Sequence, residues 1–124
     1  MLQKKLWVIG CLLLMTGILF GAFAAHGLKH MISAPALAIL QTGVQYQMYH
    51  GLGLLALSAC PLCHGRWFHL GAWLLVMGIV LFSGSLYALS LSGLKGLGAI
   101  TPLGGVALIL GWGCLAFSVQ PRQE

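Results

Sequence analysis

Acidic side chains are almost missing: Glu124 is the only Asp or Glu among 124 residues, and charged residues of both signs make up 6% of the chain. A soluble domain carries about a quarter charged residues, and a chain this short needs polar groups over most of its exterior to stay in water. An ordinary water-soluble globule is therefore excluded. Paired-carboxylate and Ser-His-Asp chemistries lack their parts, and no glycine loop of the phosphate-binding kind is present. The lack of a carboxylate inside any apolar run also disfavours cation exchange as performed by small four-helix multidrug exporters. What is abundant is apolar: 60% of residues are hydrophobic. The formal charge of +5 comes from basic residues placed singly at the edges of apolar runs. That spacing does not make a nucleic-acid stripe, so they read as membrane-topology anchors and no nucleic-acid partner is expected.

A bilayer core of roughly 30 Å takes about 20 mostly apolar residues in a helix. Four stretches qualify, about 6–25, 36–59, 68–91 and 102–119, and they leave no room for a soluble domain. The predicted fold is an all-α, four-transmembrane-helix bundle forming one integral membrane domain over 1–124. Ser33 with Pro35, and Thr101 with Pro102, suit helix starts. Lys4, Lys5, Arg66 and Arg122 flank one side and Lys29 and Lys95 the other, which predicts both termini in the cytoplasm. Trp7, Trp67 and Trp112 are candidates for the interfaces. The first run, ending in Ala22-Phe23-Ala24, also imitates a cleavable signal peptide; the reading taken is a retained first helix.

Helices in lipid associate through close packing and interhelical hydrogen bonds. Gly17, Gly21 and Ala25, Ala107 and Gly111, and Gly84 and Ala88 form small-residue faces suited to packing within the bundle or to a homo-oligomer seam. A weak repeat matches Gly17, Ile18 and His26 with Gly78, Ile79 and Tyr87, and Gly43-Val44 with Gly105-Val106, at an offset of about 61 to 62 residues. It suggests two duplicated helical hairpins of parallel orientation.

The second run is unusually polar: Gln41, Thr42, Gln45, Tyr46, Gln47, Tyr49 and His50 fall within ten residues. At about 100° per residue all but Gln47 share a broad face, with Leu40, Val44, Met48 and Leu55 toward the other. That polar face is expected to look inward, because amides and hydroxyls facing lipid without partners are costly. His26, Ser83, Ser85, Tyr87 and Thr101 are the available companions in the same half of the membrane. The candidate ligand-binding set is His26, Gln41, Gln45, Tyr46, His50, Ser83, Ser85 and Tyr87. Tyr46 and His50, four apart, can meet along the helix. A hydrogen-bond network that fixes helix register is the competing role for these residues.

Cys60-Pro61-Leu62-Cys63-His64 spells the pattern of covalent c-type haem attachment, and His69 completes a four-ligand metal set. Haem attachment takes place outside the bacterial cytoplasm, whereas Arg66 puts this loop inside. A redox pair lacks thioredoxin-like surroundings that would lower a thiol's pKa. The loop is therefore read as ordinary, with reduced thiols, and no cofactor or metal is expected.

The strings GAFAAHGL (21–28), QTGVQYQMYH (41–50), FSGSLY (82–87) and ITPLGG (100–105), with Gly111-Trp112, resemble the YgdD-type small inner-membrane proteins, a family classed as a domain of unknown function with eukaryotic relatives. The resemblance implies a multi-pass protein of the bacterial inner membrane and supplies no catalytic residues. The Cys60–His64 loop lies outside these strings. The expected function is non-enzymatic: a role in membrane integrity, or binding of membrane lipid or a small hydrophobic molecule at the polar cluster. Two rivals are a small transporter or channel with a polar cavity in the outer half, and a haem- or metal-binding redox protein.

Overall fold

The computed structural model describes residues 1–119, so Arg122 and Glu124 lie outside the described residues. Four helices follow one another: α1 (Leu2–His26), α2 (Ala34–Ser58), α3 (Gly65–Ser92) and α4 (Thr101–Ala116), with short 3₁₀ turns at Leu28–His30 and Lys95–Ala99. Ser33 caps α2 as expected, its hydroxyl accepting from the Ala36 amide at 3.3 Å. Thr101 does not cap α4; its hydroxyl is spent on Ser85, 2.6 Å away. Two glycines mark the boundaries of α3, Gly65 (φ 83°) and Gly93 (φ 70°), a backbone region that side-chain-bearing residues rarely adopt.

Among the described residues three segments are long and apolar enough to cross a membrane: α1, α3, and α4 taken with its lead-in, Lys95–Ala116. At 25 residues α2 is as long as α1, but three glutamines, two tyrosines and a histidine at 41–50 dilute its apolar character.

Each helix packs chiefly against its neighbour in sequence, α1 on α2, α2 on α3 and α3 on α4. The result is a row with α2 and α3 at its centre, not a closed ring in which α4 returns to α1. One apolar cluster draws on all four helices, among them Leu6, Leu54, Phe68, Leu75, Leu108 and Leu115. A smaller one, Ala24, Leu28 and Leu40, sits at the opposite end.

Glycine governs the two outer seams. A Cβ added to Gly10 would fall 2.9 Å from the Gly51 carbonyl oxygen, and one on Gly71 would fall 2.8 Å from that of Gly111. Gly51 lies against Leu13 and Leu14, as Gly111 lies against Leu74 and Leu75; Gly17 meets Met48, as Gly78 meets Leu108. The α1–α2 and α3–α4 hairpins thus repeat one packing scheme. The helix pair α1 and α3 is related by 61 positions (Gly10 to Gly71, Gly17 to Gly78), in line with the sequence repeat, but α2 and α4 are related by 60 (Gly51 to Gly111). The Gly43-Val44 match to Gly105-Val106 is corrected accordingly: it ran two positions out of register, and Gly43 instead receives the ring of Tyr87 from α3.

Of the expected small-residue faces, Gly17 and Gly111 are buried in seams, whereas Gly84 and Ala88 are exposed and Gly84 has no neighbour within 4 Å of a built Cβ. Ala25 is also exposed.

Candidate functional site

The buried face of α2 comprises Leu40, Gly43, Gln47, His50, Gly51, Leu54 and Leu57. Gln47, set apart from the polar face in the sequence reading, is the polar residue at its centre, 4% exposed. Conversely Gln41, Gln45, Tyr46 and Tyr49 are exposed, which corrects the expectation that they turn inward. The physical reason is close approach: Gly51 admits the leucines of α1 and Gly43 admits Tyr87 and Leu86 of α3. In lipid, small residues that let backbones approach choose the seam, and the helical angle then carries Gln47 in with them.

Gln47 ties three helices together. Its Nε2 donates to the Leu13 carbonyl (2.8 Å) and to the Thr16 hydroxyl (2.7 Å) of α1, while its Oε1 accepts from the Tyr87 hydroxyl of α3. Tyr87 also packs against Phe20, the rings tilted by 36° with centroids 4.8 Å apart. Beside this node the Ser83 hydroxyl donates to the Gly43 carbonyl at 2.7 Å. Among the described residues no buried side-chain nitrogen or oxygen lacks a hydrogen-bond partner.

On the other side of the row lies a groove of about 400 Å³ between α2 and α4, with α3 as its floor; Tyr46, His50, Phe82, Gly105, Leu108, Ile109 and Trp112 line it. His50 is held at both ring nitrogens. Nδ1 lies 2.8 Å from the Tyr46 carbonyl, and Nε2 accepts the Trp112 indole N–H at 3.1 Å. An indole nitrogen can only donate, so Nε2 must carry the lone pair and Nδ1 the proton. The pair fixes the neutral Nδ1–H tautomer, and a proton or metal arriving at Nε2 must first displace Trp112. Tyr46 lies almost parallel to the His50 ring (14°, centroids 6.3 Å) and against Phe82 (4.6 Å). Its hydroxyl has no hydrogen-bond partner among the described residues.

The predicted set therefore divides. Tyr46 and His50 share the groove, Tyr87 joins the Gln47 node, Ser83 braces α2 and Ser85 bonds Thr101, while His26, Gln41 and Gln45 stand outside both arrangements. Sequence reasoning missed Gln47 and placed Trp112 at an interface. The available signals were the glycines on either side of Gln47 at 43 and 51, and the Gly111-Trp112 pair.

In the loop between α2 and α3, Pro61 and Leu62 form a turn between Cys60 and Cys63, and Cys63 makes an isolated antiparallel bridge with Val119. Cys60, Cys63, His64 and His69 do not converge: among the described residues no three His, Cys, Asp or Glu are grouped to hold a metal ion, and His69 Nδ1 faces the Gly65 carbonyl at 2.9 Å. The turn does perturb its thiols, contrary to the sequence reading. Hydrogen bonding from Cys63 holds Cys60 below the ordinary thiol range, whereas burial pushes Cys63 above it. Since the thiolate is the nucleophile, iodoacetamide near neutral pH is expected to modify Cys60 several-fold faster than Cys63. Cys63→Ala should slow the Cys60 reaction; equal rates, read by peptide mass spectrometry, would contradict the assignment.

Among the described residues, three span-length apolar segments and a polar node buried where α1, α2 and α3 meet define an all-helical transmembrane protein. The family model described as "Protein of unknown function (DUF423)" matches residues 20–105. A Bacillus subtilis protein, UPF0382 membrane protein YwdK, is 48% identical over 112 residues, covering 89% of this chain and 91% of its own. UPF0382 membrane protein SSP2132 of Staphylococcus saprophyticus is 47% identical over 113 residues (89% and 92%). The UPF0382 inner membrane protein YgdD of Escherichia coli is 42% identical over 96 residues (77% and 73%). The chain belongs to this DUF423 family of membrane proteins. No solved structure matches it.

Proposed function

We propose that this chain is a non-enzymatic, four-span protein of the bacterial inner membrane that holds a small hydrophobic molecule in the groove between α2 and α4. Its α2, running antiparallel between α1 and α3 and packed on both, crosses the same slab that they do; at 1.5 Å per residue its 25 residues reach about 37 Å. Lys4, Lys5 and Arg66 then lie at one end and Lys29 and Lys95 at the other, a positive excess that supports a cytoplasmic position for the first end. The relative named an inner membrane protein supports the location.

The observation that carries the binding role is the unpartnered Tyr46 hydroxyl in an otherwise apolar, aromatic-walled groove. Ligand sites combine such walls with a few placed polar groups, in volumes of roughly 300–1,000 Å³. Tyr46 stands at the middle of α2, whereas phospholipid esters sit near the membrane surface, about 15 Å from mid-plane for a hydrocarbon core of about 30 Å. The fitting ligand therefore carries a carbonyl or hydroxyl oxygen within a largely apolar body. A second concavity, of about 440 Å³, is lined by Met1, Lys4, Lys5, Val8 and Ile9, all at the start of the chain, and no second helix closes it.

Gly105→Leu tests the role, because it fills the groove at a position where a Cβ would meet Phe82 no closer than 3.8 Å. Native mass spectrometry of protein extracted from its own membranes is expected to show a discrete bound hydrophobic species, reduced at least about tenfold in Gly105→Leu at unchanged helix content. An identical adduct pattern in both proteins, or none in either, would overturn the proposal.

A further inference from the structure

The outward faces of the four helices differ in kind. Those of α1, α3 and α4 present bulky apolar side chains to the surroundings, such as Leu12, Ile18, Leu70, Val80, Leu103 and Ile109. The exposed stripe of α2 instead reads Ala38, Gln41, Gln45, Tyr49, Leu52 and Ala56. Its steps of three or four residues keep it on one side of the helix, the pattern of a helix–helix contact line. Neither the Gln41 nor the Gln45 amide makes a hydrogen bond to any described residue. Gln45 is one residue from the middle of α2, and acyl chains offer it neither donor nor acceptor.

From this we infer that the α2 stripe is the interface of a homodimer, its occupant a second copy of this chain. In copies inserted in the same sense, as the charge bias proposed above favours, two α2 helices related by an axis along the membrane normal run parallel. Gln41 then faces Gln41 and Gln45 faces Gln45 at equal depth. A primary amide is donor and acceptor at once, so each pair satisfies itself without a second residue type. Ala38 and Ala56, toward the two ends of the stripe, let the backbones approach. The stripe borders the groove through the edge-to-face contact of Tyr46 with Tyr49, centroids 6.0 Å apart. The inference rests on α2 crossing the bilayer, as proposed above, and not on any ligand in the groove.

Single-molecule photobleaching of the full chain, fluorescently tagged and reconstituted at decreasing density in vesicles of native lipid, is expected to show predominantly two-step bleaching. In Gln41→Leu/Gln45→Leu the dimer fraction should fall at least about fivefold, with helix content unchanged. Should that variant fail to insert, oxidative cross-linking of single substitutions is the second measurement: Gln41→Cys and Gln45→Cys should give dimers above the background of the native cysteines, and Ile18→Cys and Ile109→Cys should not. A monomeric parent protein, a dimer indifferent to both glutamines, or cross-links formed equally from every outward face or only to other proteins would overturn the homodimer. Reaction of Gln45→Cys with a membrane-impermeant maleimide in intact vesicles separates the premises. Labelling there removes the spanning assignment of α2 and the dimer with it, whereas protection with a monomeric protein removes the dimer alone.

Discussion

Replacing Gly104 by alanine is expected to destabilise the protein by about 3 kcal/mol or more, at the upper end of what overpacking costs. The added Cβ would collide with the Phe82 amide nitrogen and fall 2.8 Å from its Cα and 2.9 Å from the Gly78 carbonyl oxygen. All three are backbone atoms, so no side-chain rotation relieves the clash and α3 must move away from α4. Gly84→Ala is the matched control. Nothing lies within 4 Å of its Cβ position, and alanine favours the helix over glycine by up to about 1 kcal/mol, so that variant should be neutral or slightly more stable. Gly17→Ala should fall between them, because its nearest obstacle is the Met48 sulfur, the end of a flexible side chain. Reversible unfolding in mixed detergent micelles ranks the three. Equal stabilities for Gly104→Ala and Gly84→Ala would refute the glycine seam.

Gln47→Leu is expected to cost about 2 kcal/mol. Interhelical hydrogen bonds in membranes average only about 0.6 kcal/mol each, but this side chain makes three, and its loss strands the half-buried Tyr87 hydroxyl. Tyr87→Phe removes one of the three and keeps the ring contact with Phe20, so about 1 kcal/mol is expected. Thr16→Val should cost less still, since Gln47 Nε2 retains the Leu13 carbonyl. The same unfolding assay reads the order. A Gln47→Leu protein within about 0.5 kcal/mol of the parent would mean that the node does not hold α1 and α3 to α2.

The sequence exposed the helical architecture because lipid imposes it: runs such as 6–25 and 68–91 have no alternative in a chain with so few charges. The Ser33 cap was local, and the repeat joining Gly17 to Gly78 was readable as a match of the sequence to itself. The inward face of α2 was not. Polarity alone pointed Gln41 and Gln45 inside, whereas contact with α1 and α3 is decided at Gly43 and Gly51, where the neighbouring chains come nearest. The partners that complete each arrangement are also distant in sequence, Tyr87 from Gln47 by 40 residues and Trp112 from His50 by 62. Nothing along α2 itself announces them. Thr101 shows the same limit, its capping role lost to a serine on another helix.

The correspondence between the two hairpins bears on how such a chain can arise. Each helical hairpin begins and ends at the same end of the bundle, so a segment copied end to end yields a second unit already in the orientation of the first. Ancestral halves of this kind would have been identical. The two halves differ at matched positions: Gln47 stands where Ala107 does and His50 where Leu110 does, so the hydrogen-bonding groups belong to one hairpin and packing groups to the other.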